Sequence, residues 1–401
     1  GTVDTSSSTN DENIAIWART GSIDIENGTF INKSNKEATV YVGTSASANE
    51  PVITIKGGTF KNSADGAYTY NSNLNPLTLN VQNDKSVTSI VITGGTFVGQ
   101  NPGDGDDNKG GTFLAEGYEA VGNEGKWTVK PIFAGGTGTA EDPFVIQNAE
   151  QFKAFRDNVN AGNTFAGKTI KLMADIDLSN TEWTPIGTNE HPFSGSFDGQ
   201  NHTVSNLKIT NAGSYNGLFG KVVGITDDAS YKKTADEVWN AETYTLSNCE
   251  ESQFNTIIKN FNIQNFTIRT GEYGAAAIGW AENAYIGKIS VSNGSVNDDN
   301  ATNKGKIAAV VGVSAKNMVY DQLTTAGDVY VGGGKHSVAG IVSSVQRGNN
   351  GQPHLVVIKN CVNNAEVSWS NGNTTGGGYP IAGIVANAGS CSGLEVVIYQ
   401  C

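Results

Sequence analysis

The stretch GGTGTAEDPFVIQNAEQFKAFRDNVNAG (135–162) decides how the rest of the chain is interpreted. Asn148 is a favourable helix N-cap residue, because its side-chain oxygen can accept from the first turn. Gln151 follows three residues later, where its side chain can return a hydrogen bond as in a capping box. The sequence therefore predicts one short α-helix over 148–161.

The apolar residues of this helix lie on one face. Phe152, Phe155 and Val159 are spaced for a single stripe along a helix, and Gly162 suits the left-handed position after its last turn. The following run, IKLMADIDL (170–178), alternates apolar and polar residues and predicts a strand with one buried face. We expect a lone helix before many strands to cover an open end of the β core.

Residues 1 to about 130 repeat an alternating strand, a glycine turn and a phenylalanine. The copies are GSIDIENGTF (21–30), PVITIKGGTF (51–60), SIVITGGTF (89–97) and KGGTF (109–113). Their phenylalanines are separated by 30, 37 and 16 residues, which fits coils with variable loops better than blades of fixed length. No segment of helical period separates these strands, so a βαβ sheet is excluded, and the glycine corners favour a parallel β-helix.

A domain boundary is expected near Pro131, which gives two segments, 1–130 and 131–401. In the second segment short strings of small residues recur. They are GLFG (217–220), AAIG (276–279), AVVG (309–312), AGIV (339–342) and AGIV (382–385). Small residues let consecutive coils approach closely. The fold class that we predict is all-β, with two consecutive parallel β-helical segments and the helix at 148–161.

Composition and charge exclude several classes of protein. The 401 residues include 50 glycines and 9 prolines without a triplet period, which indicates tight turns rather than collagen. Lys and Arg number 26 against 39 Asp and Glu, so the net charge of −13 argues against nucleic acid and anionic membrane surfaces as partners. No run of about 18 apolar residues occurs, so no membrane span is expected. The sequence shows no signal peptide, which is uninformative because processing removes it.

The cysteines do not form a disulfide framework in so long a chain. Cys361 and Cys401 end the related strings VVIKNC and VVIYQC, so they are expected to stack on neighbouring coils roughly 4.8 Å apart. A disulfide could bridge that distance, although we favour two buried free thiols. Because VNNAEV follows Cys361 and nothing follows Cys401, we expect the natural chain to continue or to pack on another surface.

These phrases resemble the GLUG-motif surface proteins of gut Bacteroidetes and related bacteria. The resemblance covers 135–401 and is carried by GTGTAEDPFVI, NAEQFKAFRDNVNAGNTFAGKTIKLMADIDLS, WTPIG, PFSGSFDGQNHTVSNLKI and NGLFG. The GGTF phrases resemble repeats of the same kind of exported protein. The resemblance implies a right-handed parallel β-helix in a secreted or surface-anchored protein. It implies no activity, because such segments accompany adhesins and peptidases alike, and the chain lacks HExxH. Residues 224–253 form a longer insertion than plain coils need.

Pairs of acidic residues are candidate catalytic groups, because some β-helices cleave polysaccharides. Asp175 and Asp177 are expected on one strand face with Cα atoms about 6.8 Å apart, within the range used by inverting glycosidases. A solvated strand face is the interpretation that we favour. The loop pairs Asp227–Asp228 and Asp298–Asp299 are interpreted in the same way, and no basic cluster accompanies them as a lyase would need.

A calcium loop is one hypothesis for NPGDGDDNKGG (101–111). Asp104, Asp106 and Asn108 have the alternating oxygen spacing of such a loop. Lys109 stands where the loop glycine belongs and Ala115 where the bidentate Glu belongs, so we favour a flexible acidic turn and no cofactor. The four histidines show no ligand spacing.

Aromatic side chains suggest a glycan surface, because ring faces stack on the C–H faces of sugars. The insertion at 224–253 presents Tyr231, Trp239 and Tyr244 among polar residues, and Trp369 lies in the polar string SWSNGNTTGGG. Long loops on rigid scaffolds often carry function. The competing interpretation is that the insertion packs back onto the coils through the same rings.

The leading hypothesis is a non-catalytic, cell-surface or secreted adhesin-like protein that contacts glycans or host surface proteins through lateral loops. The alternatives are a β-helical hydrolase or lyase and a purely structural spacer of a larger exported protein. Acids converging with aromatics in one groove would favour the enzyme. Exposed rings without such acids would favour binding, and a featureless flank would favour the spacer.

Overall fold

The computed structural model describes residues 1–8, 13–43, 51–64, 77–82, 85–105, 111–123, 125–211, 213–225, 234–298, 305–333, 337–346, 354–369, 380–388 and 394–401. The chain is mostly β and divides into two compact units, Gly1–Phe133 and Ala134–Cys401. We call these unit 1 and unit 2 and describe each by itself.

Unit 1 is built from three stacks of parallel strands. Its described strands are β1 (Thr2–Asp4), β2 (Ile16–Ala18), β3 (Ser22–Ile25), β4 (Thr29–Asn32), β5 (Val40–Val42), β6 (Val52–Ile55), β7 (Thr59–Asn62), β8 (Leu79–Val81), β9 (Ile90–Ile92), β10 (Gly95–Val98), β11 (Tyr118–Asn123) and β12 (Lys126–Pro131). The parallel stacks are β1-β4-β7-β10, β2-β5-β8 and β3-β6-β9. Each repeat of the sequence therefore adds one strand to each stack.

A column of phenylalanines occupies the interior of the first stack. Phe30, Phe60 and Phe97 are in register. The ring centroids of Phe30 and Phe60 lie 4.9 Å apart, and those of Phe60 and Phe97 lie 5.1 Å apart. The glycine pairs before Phe60 and Phe97 allow close stacking, because a Cβ on Gly94 would lie 2.2 Å from the carbonyl oxygen of Lys56.

Two features of unit 1 differ from a uniform repeat. Phe113 of the fourth phrase is buried, but the next residue, Leu114, bridges Ile92 of β9 and so belongs to another stack. The unit then ends in antiparallel strands, because β12 pairs antiparallel with both β10 and β11. The hairpin of β11 and β12 therefore pairs with β10, the last strand of the first parallel stack.

Unit 2 contains long strands that also pair in parallel. Its described elements are β13 (Phe144–Ile146), α1 (Ala149–Asn160), β14 (Thr169–Leu172), β15 (Ile176–Asp177), β16 (Ser196–Ser205), β17 (Lys208–Ile209), β18 (Phe219–Val223), α2 (Ala235–Val238), β19 (Trp239–Asn240), β20 (Thr245–Leu246), β21 (Ile257–Thr270), β22 (Tyr273–Gly274), β23 (Ile278–Asp298), β24 (Lys306–Ala308), β25 (Val311–Thr325), β26 (Val329–Gly333), β27 (Ser337–Ala339), β28 (Val342–Gln346), β29 (His354–Lys359), β30 (Val362–Asn363), β31 (Glu366–Trp369), β32 (Ile381–Ala382), β33 (Val385–Ala388) and β34 (Leu394–Tyr399). The longest path of the large sheet runs β13-β14-β16-β21-β23-β25-β28-β33.

The helix α1 covers the first strands of unit 2. Phe152, Phe155 and Val159 are fully buried, and the ring of Phe155 packs against Phe193 at 5.5 Å and Phe197 at 6.5 Å. The burial of the apolar stripe agrees with the sequence pattern.

The N-cap of α1 departs from the predicted capping box in one bond. Asn148 Oδ1 accepts from the amide of Gln151 at 2.9 Å, whereas Gln151 Oε1 accepts from the amide of Gln147 at 2.8 Å rather than from that of Asn148.

After the helix, the predicted single strand is interrupted between β14 and β15, where Met173 is exposed.

The recurring strings of small residues stack on one another in unit 2. In-register pairing joins Phe219, Ile278, Val311, Val342 and Val385. The backbones approach so closely that a Cβ on Gly279 would lie 2.7 Å from the carbonyl carbon of Tyr215.

Across the described ranges of the chain, no helix is long and apolar enough to cross a membrane.

Candidate functional site

A short hairpin inside the insertion carries two of the predicted aromatic residues. Trp239 pairs with Leu246, and Asn240 pairs with Thr245, in an antiparallel ladder of β19 and β20. The Asn240 side chain organises the loop, because its Oδ1 accepts from the amides of Glu242 at 2.9 Å and Thr243 at 3.0 Å.

Tyr244 occupies an unusual position at the end of this loop. Its φ angle is +53°, in the left-handed region that hairpin loops normally fill with glycine or asparagine. For a tyrosine this conformation costs roughly 1–2 kcal/mol. Tyr244 is 71% exposed, so burial of its side chain offsets little of this unfavourable free energy. The residue therefore weakens the fold locally and presents a ring to solvent.

Trp239 joins Tyr244 to the neighbouring strand. Its ring centroid lies 6.1 Å from that of Tyr244 in an edge arrangement and 5.6 Å from that of Tyr399 at the end of β34. Trp239 and Tyr399 are both partly buried. We call these three residues the hairpin surface. Tyr399 was not predicted, although the register of VVIYQC with VVIKNC is a signal for its position.

The insertion is anchored to the outer side of the parallel strands by apolar contacts. A column of in-register residues lies there, comprising Ile257, Tyr285, Val319, Val357 and Val397. Val238 and Cys249 of the insertion, and Phe254 directly after it, pack on this column. The insertion therefore packs onto the coils through these apolar side chains, whereas the ring of Tyr244 is exposed and that of Trp239 is only partly buried. The hairpin surface therefore rests on a packed apolar base.

Buried charged groups hold the base of the insertion. The Lys359 ammonium donates to the carbonyl of Cys249 at 3.1 Å and lies 3.8 Å from Asp321 and 3.6 Å from Glu250. Burial alone would lower the pKa of Lys359, but Cys249, Asp321 and Glu250 together raise it above its ordinary value. Burial and the neighbouring Asp321, which accepts from the hydroxyl at 3.0 Å, raise the pKa of Tyr285. Both groups keep their protons at neutral pH; Lys359 fastens the insertion to β29, and the Tyr285 hydroxyl joins β23 to β25 beneath it.

The other predicted binding residues are placed only in part. Tyr231 lies outside the described residues, and of Trp369 only the backbone, at the end of β31, is described.

The predicted calcium loop is described only in part. Asp104 lies in a 3-10 turn, Pro102–Asp104, where its Oδ1 accepts from Asn101 at 3.0 Å. Asp106 and Asn108 also lie outside the described residues, so the calcium hypothesis and the favoured acidic turn both stay untested. Within the described part of the chain, no group of three or more His, Cys, Asp or Glu side chains could hold a metal.

Asp175 and Asp177 serve as hydrogen-bond acceptors between neighbouring strands. Asp175 accepts from the amide of Thr203 at 2.9 Å, and this bond, with a further one from His202, lowers its pKa. Asp177 accepts from Asn206 and from the amide of Ser179, both at 2.7 Å, and the same bonds lower its pKa. A general acid of a glycosidase needs a raised pKa. Neither carboxyl has that property, and the interpretation that we favour for this pair stays the solvated strand face.

Cys361 and Cys401 stack as the sequence suggested, but their environments differ. Both are free thiols, with Cys361 buried and Cys401 exposed, so the expectation of two buried thiols is wrong for Cys401. The amide of Cys361 donates to the sulfur of Cys401 at 3.4 Å. Hydrogen bonding from the Cys361 side chain lowers the pKa of Cys401, and the same bond raises the pKa of Cys361.

Comparison with known proteins gives partial matches. No protein-family model matches the chain. A "Putative Gly-rich membrane protein" of Evansella cellulosilytica is 34% identical over 93 residues, which is 23% of this chain and 11% of that protein. Halomucin of Haloquadratum walsbyi is 28% identical over 162 residues, 34% of this chain and 2% of that protein. The matches thus span small fractions of both relatives.

One solved structure is similar over most of the chain. The crystal structure of a "putative immunoglobulin A1 protease" from Bacteroides ovatus aligns with a TM-score of 0.38 and 18% identity, covering 68% of this chain and 78% of that one.

Proposed function

We propose that this protein is a non-catalytic, adhesin-like protein of the cell surface or the secreted fraction that holds glycans against its hairpin surface. The architecture that we propose is two consecutive right-handed parallel β-helical segments of the GLUG-related kind. The parallel, in-register stacks of both units support this architecture. A stiff β-helix would present lateral loops at a fixed height from the surface that carries it.

The proposal that the hairpin surface binds a ligand is based on the exposure of Tyr244 and on its left-handed backbone conformation. A ring that is 71% exposed and held at a φ of +53° lowers local stability without filling the core. Strained backbone of this kind is concentrated at functional sites. Trp239 supports the ring from one side, so the ligand would meet a preorganised aromatic surface.

Sugar rings suit such a surface for two reasons. Aromatic faces stack on apolar C–H groups, and Tyr hydroxyls supply hydrogen bonds at the edge of the ring. The chain has a net charge of −13, which disfavours densely anionic partners. The Evansella relative is named as a membrane protein, and this supports a surface setting for the present chain.

The proposal is tested by a glycan-array screen of the whole chain, with a reducing-sugar release assay on every glycan that binds. Tyr244→Asn removes the ring without straining the loop, and Val121→Asn changes an exposed side chain of unit 1 as a matched control. We expect binding that Tyr244→Asn weakens and Val121→Asn does not, without release of sugar. Release of sugar at a substantial rate, or an array without any bound glycan, would overturn the proposal.

A further inference from the structure

A second group of aromatic residues is formed by the parallel stacks themselves. The bridge between Asn216 and Gly274 sets Tyr215 beside Tyr273, and Tyr273 pairs in register with Lys306. In the adjoining stack, Lys221 pairs in register with Trp280. Neighbouring side chains of consecutive strands therefore meet on one surface of unit 2.

The three rings of this group are in mutual contact. Centroid distances are 5.3 Å between Tyr215 and Tyr273, 5.9 Å between Tyr215 and Trp280, and 5.1 Å between Tyr273 and Trp280. All three side chains are partly buried and thus keep some exposed surface. Tyr215 has a φ of +65°, which is a second tyrosine in the left-handed region.

The orientation of Trp280 is fixed by a charged neighbour. Its indole nitrogen donates to Glu282 Oε1 at 2.7 Å, and Lys316 neutralises the other carboxylate oxygen at 2.6 Å. The indole therefore needs no further hydrogen-bond partner, and its ring is held in one position.

Two lysines flank the rings. Lys221 Nζ lies 5.6 Å from the ring centroid of Tyr215 and 5.9 Å from that of Trp280, and Lys306 Nζ lies 5.6 Å from that of Tyr273. Lys221 donates to Asn189 Oδ1 at 3.0 Å. Within the ranges that the structure describes, neither ammonium forms an ion pair with a carboxylate.

The electrostatics of the group favour one carboxylate over a dense polyanion. Burial lowers the pKa of Lys306 below its ordinary value, opposed by the charge of Glu272. A carboxylate beside this ammonium would replace solvation that the protein has removed. Glu272 and Glu282 stand at the margin of the rings and would repel a chain of closely spaced charges such as nucleic acid or a highly sulfated glycan.

We propose that Tyr215, Tyr273, Trp280, Lys221 and Lys306 form a binding site for a sugar ring that bears a carboxylate, a site that we call the stack patch. The pyranose C–H face lies on the rings, and the carboxylate lies against the ammonium of Lys221 or Lys306. A sialic acid and a uronic acid share this chemistry. The stack patch is separate from the hairpin surface and does not depend on it.

The test is calorimetric titration of the whole chain with two matched pairs of sugars. Trigalacturonic acid is compared with its methyl ester, which keeps the rings and removes the charge. Sialyllactose is compared with lactose, which lacks the acidic sugar. Lys221→Met and Lys306→Met keep the unbranched stems against the rings and remove the charges, and Lys61→Met alters an exposed lysine of unit 1 as the control.

We expect at least one acidic sugar to bind, its neutral partner to bind at least tenfold more weakly, and either stack-patch variant to lower affinity about tenfold or more. Raising the NaCl concentration from 50 mM to 500 mM should also weaken binding. The pair that binds identifies the sugar as a uronic acid, a sialic acid or both.

Equal binding of acidic and neutral sugars, no binding of either acid, or unchanged affinity in both Lys→Met variants would overturn the proposal. Circular dichroism of each variant establishes that it is folded. Because Tyr244→Asn leaves the stack patch intact, the result is independent of that for the hairpin surface.

Discussion

The phenylalanine column of unit 1 and the hairpin loop of unit 2 use aromatic side chains in opposite ways. In unit 1, Phe60 and Phe97 are fully buried in a column that passes from strand to strand. In unit 2, Tyr244 is exposed at the end of a loop and adopts a backbone conformation that tyrosine disfavours. The first pair stabilises the fold, and the second residue lowers its stability.

The difference between these two regions lies in the position of each ring relative to the strand register. A ring in register with rings above and below gains burial and stacking at every contact. A ring outside the register, on the hairpin of β19 and β20, gains little of either. Such a residue is therefore better explained by binding than by folding.

The largest effect is expected where the buried column is broken. Phe60→Ala removes a ring with neighbours on both sides and should destabilise unit 1 by about 3–5 kcal/mol. Denaturant unfolding measures the loss. Val121→Ala, at an exposed position of the same unit, should change stability by less than about 0.5 kcal/mol. A small loss for Phe60→Ala would mean that the rings of unit 1 do not form a packed core.

The close approach of strands in unit 2 gives the next largest effect. A Cβ on Gly279 would lie within 2.9 Å of backbone atoms of Tyr215 and Gly220, so Gly279→Ala should cost about 1–3 kcal/mol. Gly135→Ala is the control, because a Cβ there would meet nothing within 4 Å. Equal stability of the two variants in denaturant unfolding would contradict the stacking of the small-residue strings.

Relief of strain at the hairpin should give a smaller effect of opposite sign. Asparagine tolerates the left-handed region better than tyrosine does, so Tyr244→Asn should stabilise unit 2 by about 0.5–1 kcal/mol. The midpoint of denaturant unfolding reports this gain. Thr243→Asn, one residue earlier in the loop, should bring no such gain. A clear loss of stability in Tyr244→Asn would show that the ring contributes to folding after all.

The smallest effect concerns an exposed carboxylate. The pKa of Asp177 is lowered in the folded state by Asn206 and Ser179. Its contribution is therefore complete above the unfolded pKa and is lost as the pH falls through the folded pKa. Between pH 6 and pH 3 the wild type should lose slightly more stability than Asp177→Asn in thermal unfolding. Identical pH profiles for the wild type and Asp177→Asn would refute the role of Asp177.

The sequence predicts those parts of the fold that depend on local periodicity. The stripe of α1 and the strings of small residues are of this kind, because helical spacing and side-chain size are visible in the residues themselves. The fourth GGTF phrase was misleading, since Phe113 is buried beside another stack. The side chain of Gln151 accepts from the amide of Gln147, one residue before the predicted partner, Asn148. The residue types of the sequence are the same for both bonds, so they do not distinguish them.

The site depends on contacts between residues far apart in the chain, and these were not predictable. The run LVVI in β29 does not alternate, which is a signal that both faces of the strand are buried. All residues of β29 are buried, but this pattern does not identify the segment that covers the outer face. Tyr399 and the stack patch likewise become neighbours of their partners only through register across several strands.

The most direct test of the account is the dissociation constant of the strongest array glycan for the wild type and for Tyr244→Asn, measured together with their stability. We predict that the variant binds about tenfold more weakly while it is equally or more stable. Unchanged affinity in a stable Tyr244→Asn variant would contradict the claim that this ring is present for binding.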